Sequence, residues 1–122
     1  MRRVLIAEDD YQLAEVVAEV LTYENCEPEI AANGMEALDR LRTGDYDAVV
    51  CDVMMPRVGG EAFYNAVVEQ YPHLANRILF ISGAATIRSG LTAFISRTEN
   101  RLLEKPFDVD QLRAALHELL RP

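Results

Sequence analysis

The sequence has no apolar run near the roughly 18 residues that a membrane-spanning helix requires, so a helical span is excluded. Near the N-terminus, Arg2 and Arg3 precede only Val4, Leu5, Ile6 and Ala7 before three acids, too brief a stretch for the apolar region of a signal peptide. Cysteine is scarce. Cys26 and Cys51 share no metal-ligand spacing and Cys51 lies inside an apolar run. No zinc motif exists, and both thiols read as reduced and mostly buried in a cytoplasmic protein. Positive charge is also short: 12 Lys and Arg stand against 20 Asp and Glu, for a formal net charge of −8. Such a surface is poor at displacing counterions from phosphates. Direct nucleic-acid binding is therefore not expected, whereas protein partners and bound cations are.

What the sequence does hold is enough for one core. It has 122 residues, 50% of them apolar and 26% charged, too short for two ordinary domains and too apolar for disorder. A single domain over residues 1–122 is expected, without repeat, linker or low-complexity segment.

The apolar run before Glu8 reads as a strand, Glu8 to Asp10 as an acidic turn, and Leu13, Val16, Val17, Val20 and Leu21 as the buried stripe of a helix. Pro28 to Ala32 predicts a weak strand after a polar turn at Tyr23 to Glu27. Asn33 and Glu36 have the spacing of a capping box for a helix through Leu41 that Gly44 ends. Ala48 to Cys51 is a second continuous strand, stopped at Asp52 and followed by a loop containing Pro56, Gly59 and Gly60. A third helix is predicted from about Glu61 to Gln70, a strand at Ile78 to Ile81, and a fourth helix from the stripe Ile87, Leu91, Phe94 and Ile95, despite Gly90 within it. Leu102 and Leu103 give a last short strand, and Asp108 with Gln111 a capping box for the last helix. Five strands thus alternate with five helices. Strands apolar throughout need cover on both faces, which means an α/β doubly wound parallel sheet with its ligand site beyond the strands' carboxyl ends.

Polar residues interrupt those ends: Glu8, Asp9 and Asp10 after the first strand, Asp52 after the third, Ser82 after the fourth, Lys105 after the fifth. Singly, each has an ordinary explanation as a turn, cap or surface residue. Jointly they fall on one rim, where converging carboxylates repel unless a cation intervenes, and hard oxygen ligands suit Mg²⁺. His73 follows Pro72 in a loop and His117 lies between Leu116 and Glu118; both read as solvent-exposed and neither is assigned a role.

The sequence resembles the receiver domains of bacterial response regulators and hybrid sensor kinases. The resemblance spans essentially the whole chain and rests on Val4-Leu5-Ile6-Ala7-Glu8-Asp9-Asp10, Asp52-Val53-Met54-Met55-Pro56 with Gly59-Gly60, Ser82-Gly83-Ala84 and Lys105-Pro106-Phe107. It implies a flavodoxin-like sheet of strand order 2-1-3-4-5 and a phosphoacceptor at Asp52. It also implies a Mg²⁺ site formed by Glu8, Asp9, Asp52 and the backbone carbonyl of Met54. Ser82 and Lys105 would contact phosphoryl oxygens, and the Lys105–Pro106 peptide would be cis. The implied partners are a histidine kinase or histidine phosphotransfer protein and an unidentified output protein. The domain would assist its own phosphorylation and not turn over as an enzyme.

Three alternatives differ in their residues. A haloacid-dehalogenase-like phosphatase would need a second Asp where Met54 stands. A nucleotide-binding protein would need a glycine-rich loop in place of the acidic turn after the first strand. A pseudo-receiver would keep the fold without phosphorylation, and the intact set Glu8, Asp9, Asp52, Ser82 and Lys105 speaks against it. The chain departs from many receivers at Leu102, where an aromatic residue is common, and the stretch Leu102 to Asp108 looks more like the receivers of hybrid kinases than those of DNA-binding regulators.

Overall fold

The computed structural model describes residues 1–122. Its elements alternate as the apolar pattern requires: β1 (Arg2–Ala7), α1 (Tyr11–Tyr23), β2 (Cys26–Ala31), α2 (Gly34–Thr43), β3 (Ala48–Asp52), α3 (Gly60–Gln70), β4 (Ile78–Gly83), α4 (Ala84–Arg88), β5 (Arg101–Lys105) and α5 (Val109–Leu119). Short 3₁₀ turns lie at Pro72–Leu74 and Ala93–Arg97. All four strand pairings are parallel, and the sheet order is β2-β1-β3-β4-β5, the doubly wound flavodoxin-like arrangement.

Successive strand residues face opposite sides, so a central strand must be apolar at every position to be covered on both. β3 illustrates this. Val49 and Cys51 enter the core under α2 and α3, with Phe63 and Phe80, while Ala48 and Val50 enter the core under α1 and α5, with Leu21, Leu112 and Leu116. The two thiols are free and buried, one in each core.

The helix starts follow the capping residues. Asp10 accepts hydrogen bonds from the backbone N–H groups of Gln12 and Leu13, and Asp108 and Gln111 form the full reciprocal box at 2.7 and 2.9 Å. At α2 only half of the expected box exists. Asn33 accepts from the Glu36 N–H, but the Glu36 carboxylate pairs with Arg40, one helical turn on. Gly44 ends α2 as expected, its N–H donating to the Arg40 carbonyl.

Two expectations need correction. β2 begins at Cys26, so the turn before it is shorter than Tyr23 to Glu27, with Asn25 in the left-handed region at φ 61°. Pro28 lies inside β2, which it can do because β2 is an edge strand. The second correction is larger: Ile87, Leu91, Phe94 and Ile95 do not share one helix. α4 stops at Arg88, the Ser89 hydroxyl donates back to the Thr86 carbonyl, and Gly90 turns the chain at φ +88°. That is how a glycine terminates a helix, and it takes the rest of the stripe off the helical path. Phe94 and Ile95 are buried from the following 3₁₀ turn, whereas Leu91 is exposed and α4 has no buried residue.

Candidate functional site

Parallel strands put all their carboxyl ends on one rim, and the strand-end residues meet there. β1 delivers Glu8 and Asp9, β3 ends in Asp52, β4 carries Ser82 and β5 ends in Lys105. The register aligns them: Ala7 pairs with Cys51, Asp52 with Ile81, and Gly83 with Lys105. His73 and His117 lie elsewhere. His73 is in the 3₁₀ turn before β4 and His117 is in the last turn of α5 against Glu24, both away from this rim.

Asp52 is 4% exposed and both of its oxygens are engaged. Oδ1 accepts the Met54 N–H at 2.9 Å and Oδ2 accepts Lys105 Nζ at 2.8 Å. The ammonium also approaches Glu8 Oε1 at 3.5 Å, while Glu8 Oε2 accepts the Asp10 N–H at 3.0 Å. The Lys105–Pro106 peptide that follows is cis, as the resemblance implied. Glu8, Asp9 and Asp52 each offer a carboxylate oxygen, and the three lie within 4.8 Å of one another. Asp9 is exposed and gives the cluster its opening to solvent.

The electrostatics follow from this crowding. Burial pushes the Glu8 carboxyl up to about 8, and the neighbouring Asp52 charge adds to the rise, against the Asp10 N–H and Lys105. Burial pulls the Lys105 ammonium down, but the hydrogen bond and charge of Asp52, with Glu8, hold it above its ordinary value. Burial beneath Asp52 pushes the Cys51 thiol up, which keeps it protonated and unreactive.

Two buried oxygens have no hydrogen-bond partner: Glu8 Oε1 and the Ser82 hydroxyl, which is wholly buried. Native interiors rarely leave such groups unsatisfied, and both belong to this cluster. Together with a donor set made only of oxygens, they fit a hard divalent cation beside Glu8 and an anionic oxygen beside Ser82. Chemically, the arrangement offers an oriented carboxylate, a neighbouring ammonium and a place for positive charge.

The structure brings Glu8, Asp9, Asp52 and Lys105 together and sets Ser82 at the adjoining end of β4, while the Asp10 side chain caps α1 instead. The loop between β3 and α3 was not legible in the same way. It closes through a hydrogen bond from the Gly60 N–H to the Val53 carbonyl at 2.9 Å, and a Cβ on Gly60 would lie 2.8 Å from the Val53 Cα. The Gly59-Gly60 pair signals a loop in the sequence; this close approach between backbones has no sequence signature of its own.

Comparison with known proteins gives a uniform result. Residues 4–117 match the family model of the response regulator receiver domain. The chain is 34% identical over 119 residues to the transcriptional regulatory protein TcrA of Mycobacterium tuberculosis, covering 98% of this chain and 46% of that protein. It is 28% identical over 121 residues to the transcriptional regulatory protein PcoR of Escherichia coli, covering 99% of this chain and 52% of PcoR. The chain thus spans about half the length of these curated relatives. Among solved structures, the Vibrio cholerae chemotaxis protein CheY4 superposes with a TM-score of 0.81 at 27% identity, covering 98% of this chain and 99% of that one. The receiver domain of the Francisella response regulator 1452 superposes at 0.79 and 26% identity, covering 98% and 96%. These relatives bear regulator names, so the likeness of Leu102 to Asp108 to hybrid-kinase receivers draws no support from them.

Proposed function

The chain belongs to the response regulator receiver domain family of two-component signalling, and on that premise we propose that Asp52 accepts a phosphoryl group from a phosphohistidine donor. The carrying observation is that Asp52 is buried, oriented through both oxygens and set beside an ammonium and two further carboxylates. In the transfer, one Asp52 oxygen attacks phosphorus as the bond from phosphorus to the donor imidazole nitrogen breaks, and that nitrogen keeps the electron pair. Phosphoryl transfer asks a protein mostly for positioning and charge stabilisation, and these residues supply both.

Glu8, Asp9, Asp52 and the Met54 carbonyl would hold Mg²⁺, which when bound offsets the charge of the carboxylates and the phosphoryl oxygens. Lys105 places its ammonium on the Asp52 oxygen and would stay with the acyl phosphate as a counter-charge. Ser82, with its hydroxyl unpartnered, would donate to a phosphoryl oxygen once one is there. The larger, more negative group would then draw the residues after β4 toward it and shift the population of that segment, which is the signal. On this reading residues 1–122 form one phosphoacceptor domain in the cytoplasm, not a turnover enzyme. Its partners are a histidine kinase or histidine phosphotransfer protein upstream and an output protein downstream. Its own surface, with net charge −8, is poorly suited to nucleic acid. No helix is long and apolar enough to cross a membrane.

The test is to incubate the chain with a small-molecule phosphodonor and Mg²⁺ and to locate the added phosphoryl mass. Label on the Asp52 peptide, released by hydroxylamine and absent from Asp52→Asn, supports the reading. Full labelling of Asp52→Asn overturns the assignment, and an unlabelled wild-type chain makes the domain a pseudo-receiver.

A further inference from the structure

Met54 occupies a strategic place, because its N–H fixes Oδ1 of Asp52 at 2.9 Å and its own side chain is exposed. Something other than that side chain must hold the loop from Val53 to Gly60 in position. The first half is anchored by Met55, which is buried in the core under α2 and α3. The second half turns sharply. The Val58 N–H donates to the Pro56 carbonyl at 2.9 Å, and Arg57 between them has φ +73°. A three-residue turn with a positive φ on a residue other than glycine is strained and persists only where its surroundings hold it.

A tight contact with this turn comes from α2. Gly34, its first residue, is buried against Val58 so closely that a Cβ on it would lie 2.2 Å from the Val58 carbonyl oxygen and 2.7 Å from the Val58 Cβ. The obstruction is backbone, which cannot swing aside as a side chain can. Any side chain at 34 therefore has to push the loop away from α2. We propose that Gly34 is a positioning residue for the site: by letting α2 seat against Val58, it holds the strained turn at Arg57 and keeps Met54 where its N–H fixes Asp52. The service of the Met54 carbonyl to a cation rests on the function proposed above; the hold on the Met54 N–H does not.

Two measurements on the intact chain test this. The first needs no metal: in Gly34→Ala the Met54 amide should lose exchange protection as its hydrogen bond to Asp52 is pulled apart. The control is Gly44→Ala at the other end of α2, where a Cβ would meet the Tyr46 ring edge at 3.3 Å and burden the same helix away from the loop. In that control, Met54 protection should be unchanged at matched stability. The second is a Mg²⁺ titration followed by amide shifts of Asp9 and Asp52. Gly34→Ala should raise the dissociation constant about tenfold, the usual scale for loss of an outer support of a metal site, and Gly44→Ala by less than about twofold. If Gly34→Ala does not fold, Val58→Gly loosens the same contact from the loop side and should give both effects in milder form. Met54 protection unchanged in whichever of these loop variants folds, or lost equally in Gly44→Ala, overturns the proposal. A wild-type chain with no Mg²⁺-dependent shifts overturns the cation reading instead, leaving the exchange measurement to decide the role of Gly34.

Discussion

The ring of Phe94 meets the ring of Phe80 edge to face, with centroids 5.2 Å apart. Phe80 lies on β4 two residues before Ser82, so both side chains leave the strand on the same face. The segment after β4 is therefore moored at its far end, by Phe94 and Ile95, while α4 at its near end has no fully buried residue. Phe94→Ala should cost about 3 kcal/mol, as large-to-small core changes do, and should release residues 84–97 in amide exchange. Binding of beryllofluoride with Mg²⁺ should change protection chiefly between Ser82 and Leu91 and little around Leu102, where leucine cannot hydrogen-bond in either rotamer. A dominant change at Leu102 would contradict this route.

Glu8, Asp9 and Asp52 offer carboxylate oxygens within 4.8 Å of one another, where like charges repel, with the Lys105 ammonium beside Glu8 and Asp52. Mg²⁺ should raise the melting temperature, by linkage equivalent to about 2.7 kcal/mol at a hundredfold excess over its dissociation constant. The rise should shrink in Asp9→Asn. An equal rise in that variant would place the cation elsewhere.

The pH dependence has two components of opposite sign. Glu8 binds its proton at about pH 8 in the folded, metal-free chain but near 4.5 in the unfolded one, so the folded state holds the extra proton between those values. Its contribution to stability is full below about pH 4.5, declines as the pH rises, and is lost above about pH 8. Glu29 behaves the other way: burial raises its carboxyl, but hydrogen bonds from Arg3 and Arg40 outweigh that and hold it below its ordinary value. Its contribution is present above the unfolded value and lost in acid. Urea denaturation of metal-free protein should thus show a flatter stability profile between pH 5 and pH 8 in Glu8→Gln. Glu29→Gln should change the profile's acid limb below about pH 4.5. A Glu8→Gln profile as steep as wild type would refute the first component.

Water must approach a phosphorylated Asp52 in line to hydrolyse it, and neither Met54 nor Ala84 has a side-chain carboxylate or amide to orient that water. The phosphorylated state should decay slowly. Met54→Glu or Met54→Asn should decay faster in a phosphate-release assay, and decay no faster than wild type would count against this account.

Much of the architecture is legible in the sequence, because a doubly covered strand advertises itself as an unbroken apolar run; Val49, Val50 and Cys51 could belong to little else. The rim was legible for a related reason. A charged residue ending such a run sits at the mouth of the sheet, so the pattern alone places Glu8, Asp52 and Lys105 there. What the sequence concealed depends on tertiary approach. The stripe Ile87 to Ile95 has helical spacing, yet Gly90 at φ +88° breaks it, and Phe94 finds its place through Phe80 and not through a continuous helix. The half-formed box at Asn33 is similar, since Glu36 prefers Arg40. The closeness of Gly34 to Val58 is invisible in sequence, because a glycine needed for contact looks the same as one needed for a turn.

Pro28 has one more consequence, for how molecules meet each other. An open parallel sheet exposes two edges, each a row of backbone donors and acceptors on which a foreign strand can lengthen the sheet. On the β2 side the row is broken at Pro28, which has no N–H, and Glu27 beside it is exposed and charged, while Glu29 is taken up by Arg3 and Arg40. On the β5 side, Arg101 and Glu104 keep charged side chains exposed along the strand. Both edges are thereby poor templates for strand addition, which disfavours edge-to-edge pairing between crowded copies of this chain.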